Sequence, residues 1–334
     1  MSQSTESSAT TTTDGFPPVL TAHTWHGYHY ESRLSRSTTP RIAPVVLVGG
    51  AFQTKENWGR IEAEFLAHAD VITVDLPGWG KADVLPVHHG VDFLADALCR
   101  VLDDTGLTTV NLVGSSYGSA VTHALALRHP TRVRRMALTG AMTAVPEQAR
   151  SHFRRGIDFL VARQMEEFTE VTLGQLMNRE ALERTVDGHR IHRLLHRRLT
   201  GLGPLEAEQL MTNTQRLMAH QDLMAHQGLP QGAAPAMPVL VTTGEHDHFT
   251  SPAHCRDLAA TCADGWFTTI TGADHMLPLE RGPEVSDLFI RFFTGRPLTG
   301  LAYCPDAEHL SRHTPTMVAP RTGGQPAERR GGHR

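Results

Sequence analysis

Short uninterrupted apolar runs alternate with longer stretches in which apolar residues recur every three or four positions, first over 44–144 and again over 236–296. Residues 44–48, 71–76, 109–113 and 135–139 read as strands buried on both faces, because they are apolar without alternation. Residues 61–68, 91–102 and 120–128 read as helices. In 91–102 the apolar positions Val91, Leu94, Ala95, Leu98, Val101 and Leu102 share one face. This order predicts an α/β chain with a mostly parallel, doubly wound sheet. From 145 to 235 no strand-like run occurs and helical spacing dominates, with Leu210, Met211, Thr214, Leu217 and Met218 on one face. Strand rhythm returns at 238–243 and 266–271, and an amphipathic helix at 283–293 closes the pattern. The expected organisation is a core of 18–144 and 236–296, a helical lid at 145–235, and polar tails at 1–17 and 297–334.

Composition narrows the classes. The 334 residues suffice for one such core with an insertion, and a formal net charge of -4 offers no footprint for nucleic acid or an acidic membrane. Arg outnumbers Lys heavily, a ratio that reads as codon bias and carries no mechanism. The four cysteines, Cys99, Cys255, Cys262 and Cys304, form no CxxC pair, which argues against a zinc site or a disulfide framework. No apolar run is long enough to span a membrane, and the Ser/Thr-rich start lacks the basic and apolar regions of a secretory signal, so a cytoplasmic location is expected.

The chemistry begins at Gly114-Ser115-Ser116-Tyr117-Gly118, which follows the strand Val110-Asn111-Leu112-Val113 and opens a helix. A serine on a tight strand-to-helix bend occupies strained backbone, and the chain passes so close that its neighbours two positions away must lack side chains. The two glycines frame Ser116, with Ser115 as its rival. The helix start presents the Tyr117 N–H to a developing oxyanion. A serine needs a base. Among 21 histidines, His275 stands out because it lies directly after the last predicted strand. The acid that orients it is expected after the preceding strand, in Glu245-His246-Asp247-His248; Asp247 is the choice and Glu245 the alternative.

With those motifs in hand, the chain resembles the α/β-hydrolase superfamily over roughly residues 18–296. The likeness runs through Val45-Val46-Leu47-Val48-Gly49-Gly50, Asp75-Leu76-Pro77-Gly78-Trp79-Gly80, the bend at Ser116, Gly244-Glu245-His246-Asp247 and Asp274-His275. The resemblance implies an α/β-hydrolase fold and places Gly50 and Ala51 in the loop whose backbone N–H completes an oxyanion hole with Tyr117. Gly49-Gly50 stands where His-Gly is frequent in the superfamily, which leaves Ala51 or Phe52 as the second donor. Haloalkane dehalogenases and epoxide hydrolases of this fold carry Asp at the bend, so Ser116 favours acyl chemistry. Residues 49–53, 58–60 and 75–80 also look similar to proteins of actinobacterial polyketide pathways, some of which eliminate acetate from an acetylated tetronate.

Other signals carry two readings each. The basic stretch 188–198 reads as a solvated face or as a docking surface for an acidic carrier or anionic substrate. His192 and His196 have metal-compatible spacing but no carboxylate or Cys at ligand spacing in the sequence, so no metal and no cofactor is expected. Phe52, Met211, Met218 and Met224 line an adaptable apolar pocket or are ordinary packing, and Tyr117 shapes an acyl pocket or packs. Three functions follow: a serine esterase or thioesterase of a small molecule, a lyase on the same residues that expels a carboxylate, or a non-catalytic binding protein on the retained fold. Oligomeric state is unreadable.

Overall fold

The computed structural model describes residues 16–219 and 233–310. Two antiparallel strands come first, β1 (Val19–Trp25) and β2 (Tyr28–Ser35). There follow β3 (Val45–Val48), α1 (Gly59–Leu66), β4 (Val71–Asp75), α2 (Val91–Asp104), β5 (Val110–Ser115), α3 (Tyr117–Arg128) and β6 (Val133–Thr139). Four helices occupy the next stretch: α4 (Glu147–Val161), α5 (Met165–Leu176), α6 (Gly188–Thr200) and α7 (Pro204–Ala219). The chain returns to the sheet with β7 (Pro238–Gly244), α8 (Pro252–Thr261), β8 (Asp264–Ile270), α9 (Leu277–Glu280), α10 (Gly282–Thr294) and β9 (Glu308–Leu310).

The sheet order is β1-β2-β4-β3-β5-β6-β7-β8-β9, parallel from β4 to β8 and antiparallel at both edges. β3, β4 and β5 are buried along their whole length, as their unbroken apolar runs require. One apolar layer joins α2, α3 and α8 to one face; Phe65 of α1 and the aromatics of α10 cover the other. Among the described residues no helix is long and apolar enough to cross a membrane.

Two expectations are corrected. The tail expected at 297–334 does not hold over residues 297–310. Leu298 and Cys304 are buried in the layer under α10, and Glu308–Leu310 pairs with β8. Its scattered apolar residues cover the last strand, although Pro and Gly break any period. Residues 1–15 and 311–334 lie outside the description.

The buried side of α7 is also not the expected one. Its buried residues are Gln209, Leu210, Asn213 and Arg216, while Met211 and Met218 are half-buried. Gln209 donates to the carbonyl of Ala82 (2.8 Å), Asn213 to that of Gly78 (2.9 Å), and Arg216 to those of His89 and Leu85 (2.6 Å each). These polar groups supply donors to loop carbonyls that burial takes from water, each worth about 1–3 kcal/mol if left unpaired. An apolar-periodicity reading rotates such a helix to the wrong side. Met224 lies outside the described residues. The four cysteines are buried and free.

Candidate active site

The end of β5 turns abruptly into α3, and Ser116 occupies the bend at φ 50°, ψ -114°. That conformation is sparsely populated for a residue with a side chain. The glycines around it are demanded by contact. A Cβ on Gly114 would stand 2.3 Å from Thr122 Oγ1, and one on Gly118 only 2.2 Å from the carbonyl oxygen of Val48. Ser115 is separated from its neighbour by this turn: its hydroxyl accepts from Thr139 Oγ1 at 3.2 Å.

His275 follows β8 and reaches back across the sheet end. Its Nε2 is 3.1 Å from Ser116 Oγ, although the two are 159 positions apart, and its Nδ1 is 2.9 Å from Asp247 Oδ2. Gly140, at φ 58°, makes room for the ring, since a Cβ there would come within 2.8 Å of His275 Cε1. Asp247 is buried and richly bonded. Its Oδ2 also accepts from the hydroxyls of Thr243 and Thr250 at 2.5 Å each, and its Oδ1 from the N–H groups of Phe249 (2.9 Å) and Thr250 (2.8 Å). Glu245 is exposed and accepts from the Gly272 N–H, so the geometry takes Asp247 of the two carboxylates to the imidazole.

Burial pushes the Asp247 carboxyl up, but the His275 charge and the bonds from His275, Thr243 and Thr250 outweigh it and hold the group at about 2. Burial pushes His275 down, but the charge and hydrogen bond of Asp247, with Asp274 and Glu280 beyond, raise it above its usual range. Glu280 itself is driven up to about 8, chiefly by burial, with the charge of Asp274 adding to it. A base at His275 must be neutral, so kcat/KM rises with pH through a midpoint above about 6.5. Stability runs the other way. The charged imidazole stabilises the fold fully below its unfolded value and loses that contribution as pH climbs through the raised one. Rate and melting profiles across pH 5–9 check both signs.

The loop after β3 faces the bend. A Cβ on Gly50 would touch Ser116 Cβ at 3.3 Å. The Gly50 N–H donates to Gln53 Oε1, its carbonyl accepts from Trp79 Nε1 at 3.0 Å, and the Gln53 N–H donates to the same carbonyl. Farther along, buried Asp75 accepts from the Lys55 N–H (2.7 Å) and from its ammonium (2.9 Å). Among the described residues the N–H groups of Ala51, Phe52 and Tyr117 find no protein acceptor, which leaves them free to meet an oxyanion.

One cavity adjoins the serine and a second lies beyond it, under the inserted helices. A small one, about 30 Å³, is lined by Ser116, Tyr117, Gly140, Met142, Val145 and Thr250 among others. A larger one, about 70 Å³, lies under α4, α5 and α7, with Ala51 and Phe52 in its wall. Leu217 lines both. Phe52 lines the larger cavity, whereas Met211 and Met218 do not; Leu210 and Leu217, each one position away and so about 100° around the helix, line it with Thr214. Thr243, Thr250, Gly140, Asp274 and Glu280 went unassigned in the sequence. Asp274 adjoins His275 in the recognised motif, but Thr250 and Gly140 carry no pattern of their own.

For cations, Glu166, Glu170 and His196 bring ligand atoms within 4.8 Å of one another at the surface of α5 and α6, and an ion pair with Arg179 already engages Glu170. Glu31, Glu56 and Asp75 do likewise, around the Lys55 ammonium that pairs with all three.

Comparison with known proteins bears on this arrangement. The sequence model of the family described as alpha/beta hydrolase fold matches residues 43–282. A 2-hydroxy-6-oxo-2,4-heptadienoate hydrolase of Pseudomonas putida is 39% identical over 103 residues, 30% of this chain and 37% of that protein. A 2-hydroxy-6-oxononadienedioate/2-hydroxy-6-oxononatrienedioate hydrolase of Burkholderia vietnamiensis is 35% identical over 35% of this chain and 43% of its own. The matches thus span under half the length of these relatives. Among solved structures, an alpha/beta hydrolase enzyme from a Medee basin deep-sea metagenome library superposes with TM-score 0.72 at 15% identity, covering 85% of this chain and 99% of that one. The enol-lactonase from Burkholderia xenovorans superposes with TM-score 0.67 at 19% identity, covering 82% and 100%. At such identities these neighbours speak for the fold alone. None of these names concerns a tetronate.

Proposed function

Because the chain belongs to the alpha/beta hydrolase fold family, we propose that it is a serine-dependent hydrolase of a small-molecule ester or thioester, with Ser116 as nucleophile, His275 as general base and Asp247 as its orienting acid. The single observation behind this reading is the bonded chain of atoms from Ser116 Oγ through both His275 nitrogens to a buried, ionised Asp247. In this mechanism His275 Nε2 takes the serine proton as Oγ attacks the acyl carbon. Negative charge on the former carbonyl oxygen meets the Tyr117 N–H and that of Ala51, with Phe52 as the alternative. The imidazolium returns the proton to the leaving alcohol or thiol. Water, deprotonated by the same nitrogen, then releases the acid and frees Ser116. The helices α4–α7 serve as a lid that keeps bulk water from the acyl-enzyme.

The names of the partial relatives favour a second reading, in which the same attack falls on the 6-oxo carbon of a 2-hydroxy-6-oxo dienoate and a carbon fragment leaves in place of an alcohol. Product analysis in oxygen-18 water separates the possibilities. Ester hydrolysis puts one solvent oxygen into the acid and yields an alcohol; attack on the oxo carbon also labels the acid but yields no alcohol. Elimination, the lyase reaction, leaves both acid oxygens unlabelled and yields an alkene, and that outcome would overturn the hydrolytic reading. No labelling of Ser116 by a fluorophosphonate, together with no turnover of any ester, would overturn the esterase reading and favour a non-catalytic binding role.

A further inference from the structure

The loop between β3 and α1 is tied at two points to the turn that follows β4. At Lys55 the N–H donates to Asp75 Oδ1 at 2.7 Å. At Gly50 the carbonyl accepts from the buried indole of Trp79, Nε1 to oxygen 3.0 Å. Trp79 is itself held by the turn. Its N–H donates to the Leu76 carbonyl, and its carbonyl accepts from the Ala82 N–H, 2.9 Å each. The Gln53 N–H also reaches the Gly50 carbonyl, at 3.1 Å, but Gln53 belongs to the same loop and moves with it. The indole is therefore what fixes that carbonyl relative to the sheet.

A trans peptide is planar, with its C=O and N–H on opposite sides. Holding the Gly50 oxygen thus aims the N–H of Ala51, the next residue. Gly50 stands against the nucleophile: a Cβ on it would lie 3.3 Å from Ser116 Cβ and 3.9 Å from Ser116 Oγ. Among the described residues the Ala51 N–H has no acceptor. The following peptide, which carries the Phe52 N–H, is not held in this way, since among the described residues no hydrogen bond reaches the Ala51 carbonyl. The same indole packs edge-on against the Tyr117 ring, with centroids 4.9 Å apart and planes at 77°. One side chain thus braces the residues on both sides of the position an oxyanion would take.

We propose that Trp79 is a positioning residue: by holding the Gly50 carbonyl it fixes the Ala51 N–H, rather than that of Phe52, as the second oxyanion donor. This assignment rests on the ester-hydrolase reading above. A donor aimed before the reaction meets charge that develops only in the transition state, so its loss lowers kcat and kcat/KM together and leaves KM nearly unchanged.

Turnover of phenyl acetate tests it. Trp79→Phe keeps an aromatic ring against Tyr117 and deletes the N–H. It lowers kcat about tenfold, the net worth of one hydrogen bond, with KM and the midpoint of the pH–rate profile unmoved. Benzothienylalanine at position 79, which puts sulfur where the indole has N–H at nearly the same volume, gives the same loss and serves if Trp79→Phe fails to fold. Exchanging Ala51 for lactic acid replaces its N–H with an ester oxygen and costs about a hundredfold in kcat. Trp79→Phe added to that exchange costs nothing further, because both remove one interaction. Phenyllactic acid at position 52 costs far less. Unchanged kcat in both position-79 variants, a loss expressed through KM, losses that add to that of the lactic acid exchange, or a larger loss at position 52 than at 51 overturns the proposal and leaves the hydrolase reading standing. Unaltered protein that turns over no ester overturns both.

Discussion

Ser116→Ala lowers kcat about a million-fold, the scale on which removal of the nucleophile acts when serine, histidine and acid work as one unit. The loss is confined to chemistry. Among the described residues the hydroxyl makes one bond, to His275 Nε2 at 3.1 Å, and the alanine methyl occupies the same bend. KM for a good ester therefore changes little, and labelling by a fluorophosphonate disappears. Backbone strain provides an internal control. Ser116 sits at a positive φ that glycine adopts freely, so Ser116→Gly is as inactive as Ser116→Ala but more stable, by on the order of 1 kcal/mol. Urea unfolding of the two variants reads that difference, and retained turnover in either would remove Ser116 from the mechanism.

Asp247→Asn has the second largest effect, a fall in kcat of about ten-thousand-fold. Every neighbour of this carboxylate donates to it: two threonine hydroxyls, two backbone N–H groups and His275 Nδ1. An amide replaces one acceptor with a donor. If the NH₂ faces His275, the ring must accept at Nδ1, which puts its proton on Nε2 and leaves Ser116 Oγ without a base. If the NH₂ turns to the other side, it meets the N–H groups of Phe249 and Thr250, and two donors oppose each other. Stability falls as well. An acid held at about 2 contributes on the order of 2 kcal/mol above pH 4, which is lost as pH drops through that value. The unaltered protein is thus acid-labile where Asp247→Asn is flat, and the gap between their unfolding midpoints narrows below pH 4 and closes as pH falls through about 2. A variant as stable and as active as the parent at pH 7 would show that Asp247 does not orient the imidazole.

The largest effects fall on residues that the sequence singles out, and the reason lies in how each is encoded. Ser116 is framed by two glycines whose necessity is steric: 2.2–2.3 Å approaches exclude any other residue. His275 and Asp247 each follow a strand whose apolar run is unmistakable. The acid was ambiguous only between Asp247 and Glu245, both two residues or fewer from the same turn, and only the fold shows that one points inward to five donors while the other caps an exposed loop. Ala51 and Phe52 were legible as a loop but not as individual donors, and among the described residues neither N–H has an acceptor.

The helical insertion was the least legible part. Its helices were expected from apolar spacing, but its inner surface is partly polar. Gln175, Gln209, Asn213 and Arg216 are buried, and the methionines expected at the pocket stand a rotation away from it. The antiparallel strands β1 and β2 and the strand β9 are not legible as apolar runs: β1 and β9 lie at the sheet edges and bury little of themselves, and β2, paired on both sides, alternates polar positions with buried ones.

By itself the sequence determined the parallel sheet, the strained serine and the strands from whose ends its partners come, because sterics and burial there act between near neighbours and leave period and glycine as their trace. Which carboxylate meets the imidazole and which side of α7 turns inward were decided only by the tertiary structure. Those choices depend on donors and acceptors brought together from segments up to 159 positions apart, and a hydrogen bond at that separation leaves no mark in local pattern.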